Sequence, residues 1–373
     1  MHQYEMFNGE AIYIAGPECF YVNGYDSLGA MRKESEYYGF EVTLPNDNPL
    51  NLEHEDLRKN ADEIFENCAK SMNASTVIIA DLETFRGCEP DGGSIYEIGM
   101  AYARGIRCYG YTRDLRNMVH KYPLAVLKDG VVYDHDGRVL PYQDLPFSPC
   151  VMASCRVIEG DYSDCLKQLR LDIHEEQKDS VIRGRKKEAF VPGPTLEKQE
   201  KPVVYLAGPE RYDSDAELLY EKRKALCESY GLQVFTPADD APGVERIISG
   251  DPYLQAYNDF DRWQQHVRNC DIILANLNDF HGWEPNSDTS FECGMAWQLG
   301  KRCFGYMDST EIMRKRIPHY GEDKNNKDIY GNDVENFNYP INLMFSSSMP
   351  ILEGTFEQAL EQMAEQLKKE GIL

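Results

Sequence analysis

The chain contains the same pattern twice. The stretch IYIAGPE at 12–18 returns as VYLAGPE at 204–210, and YGFEVTLPND at 38–47 returns as YGLQVFTPAD at 230–239, in both cases 192 residues later. Two long segments that repeat in the same order and at the same spacing indicate one folding unit that has been duplicated and fused. Any fold assigned to this chain therefore has to accommodate two similar halves.

The longest repeated stretch lies in the middle of each half. Residues 76–111 return as residues 271–306, now 195 residues later. A chain of 373 residues is too long for one small domain. We therefore predict two domains, at 1–175 and 203–373. The segment between them, 176–202, is charged, contains proline and shows no apolar periodicity, so we predict an exposed linker there.

Each half alternates predicted strands and helices. AIYIAG and TVIIADL are short runs typical of buried strands, whereas SLGAMRKESEYYG has apolar residues at helical spacing and ends in glycine. This alternation predicts an α/β fold with two doubly wound parallel-sheet domains, flavodoxin- or Rossmann-like. Ligands of such sheets bind at the carboxyl ends of the strands, where AGPE and FRGCEPDGGS follow.

The charge balance restricts the class of partner. The chain has 63 acidic and 39 basic residues, a formal net charge of -24, which disfavours polymeric nucleic acid and anionic membrane surfaces. Its start is acidic where a secretory signal needs basic residues, and no apolar run is long enough to span a bilayer. We therefore expect a cytoplasmic protein without nucleic acid or membrane partners.

Cysteine and histidine spacing predicts neither a metal site nor a disulfide framework. The 11 cysteines contain no Cys-x-x-Cys pair, and the 8 histidines show no ligand spacing. We expect no metal and no cofactor. Cys108 and Cys303 occupy matching strands and are predicted to be core residues.

The loop FRGCEPDGGSIYEIG is the most informative segment for chemistry. Ser94 and Glu97 have the spacing of a helix capping box, and Thr289 and Glu292 repeat it in the second half. Alternatively, Glu97 is a nucleophile whose ionised form the helix dipole stabilises. A second carboxylate, Asp91, stands six residues earlier, and paired carboxylates are typical of glycosidic-bond chemistry.

The order of these motifs resembles the nucleoside 2-deoxyribosyltransferase family. The shared features are a strand tyrosine, an AGP loop, the EPDGGSIYEIG stretch and a later PINLM segment, and the resemblance covers most of each half. It implies that Glu97 attacks C1′ of a 2′-deoxynucleoside and forms a covalent deoxyribosyl ester, which a second base then collects. It further implies that Asp91 contacts the base and that Tyr13 orients the glutamate.

Further residues carried over from the family are predicted to contact substrate. Gly16 and Pro17 belong to the AGP loop, and Gly93 follows the predicted acid. Asn67 is the nearest match to a polar residue that contacts the base in the family. Next to the AGP loops, Glu18 and its counterpart Glu210 are either ligand contacts or exposed loop carboxylates.

The second half departs from the family pattern at its loop. Glu292, Tyr205 and Gly208 are retained, but Asn286 stands at the acid position and Asp288 at the glycine position. Because a neutral amide cannot exchange protons with a leaving base, we expect this second candidate site to be impaired or altered. The alternative is that Asp288 compensates for Asn286.

The PINLM segment departs in the opposite direction. In the family its asparagine comes from a neighbouring subunit and holds the sugar 5′-hydroxyl. Here Asn342 supplies it from the second half, while alignment of VIEG at 157–160 with ILEG at 351–354 places Ser148 at the equivalent first-half position. If the halves pack as an intramolecular pseudo-dimer, one complete composite site results. Higher homo-oligomers of such pairs are left open.

The predicted function is transfer of 2-deoxyribose between nucleobases, with deoxynucleosides and free nucleobases as small-molecule partners. Capture of the same ester by water makes a deoxynucleoside hydrolase the nearest alternative. A non-catalytic nucleoside-binding module is the alternative from another class. A nucleotide N-glycosidase is disfavoured because AGPECFY lacks a phosphate cradle. Trp263, Trp283 and Trp297 pack in cores or line a base pocket, with a core role favoured for Trp297.

Overall fold

The structure is a computed structural model that describes residues 10–122, 124–134, 137, 139–178, 201–319 and 327–373. Most of the predicted linker at 176–202 lies outside the described residues.

The first half consists of seven strands and six helices in its described part. The strands are β1 (Ala11–Ala15), β2 (Glu41–Thr43), β3 (Val77–Asp81), β4 (Arg107–Thr112), β5 (Val126–Lys128), β6 (Val131–Tyr133) and β7 (Arg156–Glu159). The helices are α1 (Gly24–Tyr37), α2 (Leu57–Ala74), α3 (Gly92–Ala103), α4 (Met118–Lys121), α5 (Pro149–Ser154) and α6 (Tyr162–Lys178).

The second half repeats this order in the part of it that the structure describes. Its strands are β8 (Val203–Ala207), β9 (Gln233–Phe235), β10 (Ile272–Asn276), β11 (Arg302–Met307) and β12 (Ile351–Glu353). Its helices are α7 (Ala216–Ser229), α8 (Pro252–Asn269), α9 (Ser287–Gln298), α10 (Met313–Arg316), α11 (Leu343–Ser346) and α12 (Phe356–Lys369).

Each half forms a five-stranded parallel sheet. The strand orders are β2-β1-β3-β4-β7 and β9-β8-β10-β11-β12, which is the flavodoxin-like order in both cases. The registers also correspond: Tyr13 lies beside Ile78, and Tyr205 lies beside Ile273. The predicted doubly wound α/β fold and its duplication are confirmed. A short antiparallel pair, β5 and β6, is added to the first half.

Helices cover both faces of each sheet, as the apolar strands require. In the first half, α1 and α6 cover the outer face, while α2, α3 and α5 pack on the inner one. The inner faces of both halves share a single hydrophobic cluster, so the two sheets are joined through one core. Trp297 packs against this core with its ring 4.9 Å from that of Phe65, and Cys108 and Cys303 are buried in it.

Helices α3 and α9 cross at the centre of the pseudo-dimer. A Cβ on Gly99 would overlap the carbonyl oxygen of Phe291, and a Cβ on its counterpart Gly294 would overlap that of Tyr96. Glycine is needed at both positions because the two helix backbones touch there. The close approach at Gly99 is thus between helices of the two halves.

Each half also reaches into the other near the helix starts. Glu284 accepts a hydrogen bond from Gly92 N at 3.3 Å, and Glu89 accepts one from Ser287 N at 3.0 Å, so each carboxylate caps a helix of the opposite half. The short helices α5 and α11 also pack on the opposite half. Helix α5 packs on α8, and α11 packs on α2 and α3. This exchange brings the PINLM segment to the first half.

The described residues contain neither a membrane-spanning helix nor a cluster of metal ligands. No helix in the described ranges is both long and apolar enough to cross a bilayer. Within the same ranges, no group of three or more histidine, cysteine, aspartate or glutamate side chains is placed to hold a metal ion.

Candidate active site

Tyr13 and Glu97 meet above the centre of the first sheet. The Tyr13 hydroxyl, on β1, donates a hydrogen bond to Glu97 Oε1, and the two residues are 1% and 8% exposed. Among the described residues, no lysine or arginine forms an ion pair with Glu97. Burial raises the pKa of Glu97 to about 8, and the Tyr13 hydrogen bond opposes part of that rise.

The capping-box interpretation of Ser94 and Glu97 is wrong. Helix α3 begins earlier than that interpretation requires, with Asp91 as its N-cap residue. Asp91 Oδ2 accepts hydrogen bonds from Ser94 N and Ser94 Oγ, both at 2.7 Å. Asp is a strong N-cap, and the flexible glycines that follow allow its side chain to reach back. Glu97 therefore lies in the second turn, and its pKa is raised rather than lowered.

The second carboxyl oxygen of Asp91 accepts no hydrogen bond from the described residues. Oδ1 is buried and has no hydrogen-bond partner among the described residues. Burial raises the pKa of Asp91, while the bonds from Ser94 and the charge of Arg86 oppose the rise. A buried carboxyl with a free oxygen is suited to exchange a proton with a bound ligand.

The second half supplies Asn342 to this site. Asn342 is the N-cap of α11, and its Oδ1 accepts a hydrogen bond from Met344 N at 2.9 Å. A Cβ on Gly93 would come within 2.7 Å of Asn342 Nδ2, so Gly93 leaves the space that the asparagine occupies. The PINLM residue of one half thus lies at the start of α3 in the other.

Glu335 is a further second-half residue that sequence reasoning missed. Its Oε2 accepts a hydrogen bond from Leu343 N at 2.9 Å, next to Asn342. Burial raises the pKa of Glu335 to about 8, with Asp91 adding to the rise. Its position in the first half is occupied by Pro141, so the repeat carries no signal for it.

Two cysteines line the same region. Cys68, on α2, interacts with both the Tyr13 hydroxyl and the Glu97 carboxylate. Burial raises the pKa of the Cys19 thiol most, and the charges of Asp91 and Glu335 add to the rise. The two thiols thus lie among carboxylates of both halves, with Glu97 and Asp91 from the first half and Glu335 from the second.

The AGP loop is shaped by a buried carboxyl. A Cβ on Gly16 would overlap the Glu18 carboxylate, and Pro17 opens the short 3₁₀ turn that carries it. Glu18 is 3% exposed and accepts a hydrogen bond from Tyr111 at 2.9 Å, which rules out the exposed-loop alternative. Burial, with the neighbouring Asp81, raises the pKa of Glu18 to about 7.

Asn67 is buried on α2 one residue before Cys68. Its Nδ2 donates to Pro49 O at 3.1 Å, and its Oδ1 accepts from Lys70 at 3.4 Å. These bonds hold the loop before the helix, and contact of Asn67 with a base stays a prediction.

In the second half the corresponding glutamate is ion-paired. Glu292 Oε1 accepts hydrogen bonds from Tyr205 at 2.7 Å and from Arg211 Nη1 at 2.9 Å, and Oε2 accepts from Arg211 Nη2 at 2.5 Å. The Arg211 and Glu292 side chains are only 2% and 1% exposed. Such a bidentate pair occupies both carboxylate oxygens and neutralises their charge.

Two substitutions between the halves explain this difference. Arg211 stands where the first half has Cys19, and Trp263 stands where it has Cys68. The Arg211 guanidinium lies over the Trp263 ring, 4.3 Å from its centroid. Arg211 thus supplies a cation to Glu292, whereas neither thiol supplies one to Glu97.

The remaining second-half candidates form internal contacts. Asn286 caps α9 by accepting a hydrogen bond from Thr289 N at 3.3 Å. Asp288 accepts one from Cys150 N at 2.8 Å and another from the Tyr212 hydroxyl, so both of its oxygens are used. These bonds disfavour the alternative that Asp288 compensates for Asn286.

Two other predicted positions of this half lie beside those contacts. Gly208 makes room for the Glu210 carboxylate, as Gly16 does for Glu18, and Glu210 is 8% exposed. Ser148 is the N-cap of α5, the place that Asn342 takes on α11, and its hydroxyl is buried without a partner among the described residues.

A family model described as nucleoside 2-deoxyribosyltransferase matches the chain twice, at residues 12–152 and 204–344. The chain belongs to the nucleoside 2-deoxyribosyltransferase family. Both matches include the strand tyrosine and the helix glutamate of their half. The second match ends at Met344, just after Asn342. The first match ends at residue 152, inside α5 and shortly after its N-cap Ser148.

Individual relatives of this deoxyribosyltransferase family member are distant. An uncharacterized protein of Schizosaccharomyces pombe is 26% identical over 129 residues, which are 34% of this chain and 60% of the relative. A solved 2-deoxyribosyltransferase of Leishmania mexicana is 28% identical, with 44% of this chain and 97% of that one covered and a TM-score of 0.34. One from Bacillus psychrosaccharolyticus is 22% identical, covering 33% and 88%, with a TM-score of 0.23.

Proposed function

We propose that this protein transfers 2-deoxyribose between nucleobases at one composite site. Tyr13, Asp91 and Glu97 come from the first half, and Asn342 comes from the second. The observation that carries the proposal is the asymmetry between the glutamates: Glu97 accepts a hydrogen bond from Tyr13 and has no cationic partner among the described residues, whereas Glu292 is held by Arg211. Membership in the deoxyribosyltransferase family supports the reaction class.

In the first step, an ionised Glu97 oxygen attacks C1′ of a bound 2′-deoxynucleoside. The bond between C1′ and the base nitrogen breaks, and the nitrogen keeps the electron pair. Asp91, in its protonated form, gives its proton to the departing base. The products are a free base, an Asp91 carboxylate and a deoxyribosyl ester of Glu97.

In the second step, a nitrogen of an incoming base attacks C1′ of the ester. The bond between C1′ and the Glu97 oxygen breaks, which restores the carboxylate, and the proton of the incoming base passes to Asp91. The Tyr13 hydroxyl holds Glu97 in position and favours its ionised form. Asn342, anchored on α11 beside Gly93, would bind the sugar hydroxyl end.

The test is chromatography of a reaction that contains 2′-deoxyinosine and free adenine. Wild type and Glu292→Gln should form deoxyadenosine, and Glu97→Gln should not. Wild type that is incubated with deoxynucleoside alone and then denatured should carry one deoxyribosyl group on the peptide that contains Glu97. Release of hypoxanthine without deoxyadenosine would show a hydrolase instead, and bound but unchanged nucleoside would show a binding module.

A further inference from the structure

A cleft of about 560 Å³ opens between the two halves beside Arg211, the residue that pairs with Glu292. One wall comes from the first-half segment around Tyr142 and Gln143, and the other from α7 and α8 of the second half. Arg211 and Trp263 belong to its floor. A volume of this size is in the range of small-ligand pockets.

The cleft lies where the repeat places the second-half counterparts of residues beside Glu97. Its floor residues Arg211 and Trp263 stand at the positions of Cys19 and Cys68, and Arg262 stands at the position of Asn67. Glu292 itself does not line the cleft, whereas Arg211, which pairs with it, does. A ligand in the cleft would meet Arg211 before it could meet the carboxylate.

The walls of the cleft offer flat surfaces. The rings of Tyr142 and Tyr212 meet edge to face with centroids 5.3 Å apart, and Trp263 lies beneath the Arg211 guanidinium. Aromatic rings and a guanidinium plane are the groups on which a planar heterocycle stacks. The observed arrangement therefore suits a nucleobase better than an aliphatic ligand.

The three arginines that line the cleft are already paired with carboxylates. Arg211 pairs with Glu292, Arg262 pairs with Asp259, and Arg246 bonds to Asp240 at 2.6 Å. These arginines are therefore poorly suited to hold a phosphate group. An uncharged ligand is favoured over a nucleotide.

Three polar atoms of the cleft-lining residues, one each on Gln143, Tyr220 and Arg262, have no hydrogen-bond partner among the described residues. The Tyr220 hydroxyl and Arg262 Nε are buried and form no hydrogen bond with described residues, and both residues line the cleft. Tyr220 is 1% exposed and Arg262 is 5% exposed. Buried donors of this kind are normally satisfied, so they are available to acceptor atoms of a ligand.

We infer that this cleft is a second, non-catalytic site that binds an uncharged nucleoside or free nucleobase. Glu292, the carboxylate that would attack a sugar, is paired with Arg211 and does not line the cleft, so a nucleoside bound here stays intact. The choice of ligand class rests on the proposed function, whereas the cleft itself does not. Each chain would thus hold one reacting and one non-reacting nucleoside.

Equilibrium dialysis of labelled 2′-deoxyadenosine in the Glu97→Gln background tests this inference. Ala216→Trp places an indole in the cleft, and Leu218→Trp is its matched control, because Leu218 is 53% exposed on the same helix and does not line the cleft. Ala216→Trp should bind one molecule fewer per chain than its parent, and Leu218→Trp should bind the same number. An unchanged number in a folded Ala216→Trp protein would overturn the inference.

A second measurement keeps the cleft intact. With Trp283→Phe and Trp297→Phe, Trp263 is the remaining tryptophan, since the chain has 3. Its fluorescence should change saturably with 2′-deoxyadenosine, and no change at saturation of the first site would overturn the inference. Tighter binding of the 5′-monophosphate would overturn the assignment of an uncharged ligand. Two bound nucleosides per chain in the Glu97→Gln protein, with no base exchange by the wild type, would instead overturn the proposed function alone.

Discussion

Arg211 donates two parallel hydrogen bonds to Glu292, from Nη1 to Oε1 at 2.9 Å and from Nη2 to Oε2 at 2.5 Å. The same position in the first half is Cys19, which leaves Glu97 with a tyrosine as its hydrogen-bond partner. One substitution after the AGP loop thus separates a compensated carboxylate from an uncompensated one. The two duplicated glutamates are expected to differ in both stability and reactivity.

Arg211→Met should destabilise the protein, because it leaves Glu292 buried without its cation. Removing one partner of a buried pair costs about 3–5 kcal/mol. The double variant Arg211→Met with Glu292→Gln should recover much of the loss, since the uncompensated charge is then absent. Urea unfolding midpoints of the single and double variants measure this, and a single variant as stable as wild type would contradict the buried ion pair.

Glu97→Gln should abolish base exchange yet stabilise the fold at neutral pH. The folded pKa of Glu97 is about 8 against a reference of 4.5, so wild type loses stability as pH rises from about 4.5 to 8. Glutamine escapes this loss, which is worth about 1.4 kcal/mol per pH unit. The gain in unfolding free energy should grow by about 3 kcal/mol between pH 5.5 and 8. A gain that does not change with pH would contradict the raised pKa.

Tyr13→Phe should shift the ionisation of Glu97 to higher pH. The Tyr13 hydroxyl donates to Glu97 and lowers its pKa, so the variant should need more alkaline conditions to form the carboxylate. Base exchange should fall most below pH 8 and recover partly above it. Rates measured from pH 6 to 9 test this, with Tyr205→Phe in the second half as the matched control. An equal loss at every pH would assign Tyr13 a purely structural role.

Asn342→Ala should weaken deoxynucleoside use about 10- to 100-fold, which corresponds to one lost hydrogen bond of about 1.4–3 kcal/mol. Ser148→Ala, at the matching N-cap of the first half, should leave kcat/KM within about 2-fold of wild type. Ser148 belongs to the second candidate site, where Glu292 is paired with Arg211. Measuring the effect of Asn342→Ala on kcat/KM for 2′-deoxyinosine and for its 5′-deoxy analogue tests whether Asn342 contacts the 5′-hydroxyl. If Asn342→Ala affects both substrates equally, the asparagine does not hold the 5′-hydroxyl.

Gly99→Ala should disrupt the crossing of α3 and α9, since its Cβ would overlap Phe291 O. Such overpacking costs about 1–3 kcal/mol, and more where backbone is the obstacle. Gly29→Ala is the matched control because Gly29 lies in α1 with open space around it, so alanine should raise helix stability by about 0.5–1 kcal/mol. Thermal midpoints of both variants measure the difference, and equal midpoints would contradict the close helix crossing.

Some features of the site followed from local sequence. The strand containing Tyr13, the glycine loop before α3 and the duplicated sheets depend on short-range patterns, so periodicity and repetition were sufficient to predict them. The start of α3 was placed incorrectly, because Asp91 and Ser94 both suit an N-cap and only the backbone path selects Asp91.

Contacts between the halves followed from sequence only where the family resemblance supplied them. Asn342 could be paired with the first half on that basis, whereas Glu335 could not, since it lacks both a motif and a repeat partner. Arg211 and Trp263 are visible in the sequence, but the stacking of Arg211 on Trp263 and its ion pair with Glu292 join segments about 50–80 residues apart. Pairing across such separations is a property of the packed chain.

The sequence by itself determined the duplication, the parallel α/β architecture and the two helix-borne glutamates, because these depend on patterns within each repeat. The tertiary structure decided which glutamate is free. That outcome depends on whether a cationic side chain fits beside the carboxylate once both are buried, and a buried charge must be compensated or protonated. Arg211 compensates Glu292, whereas burial beside Tyr13 raises the pKa of Glu97.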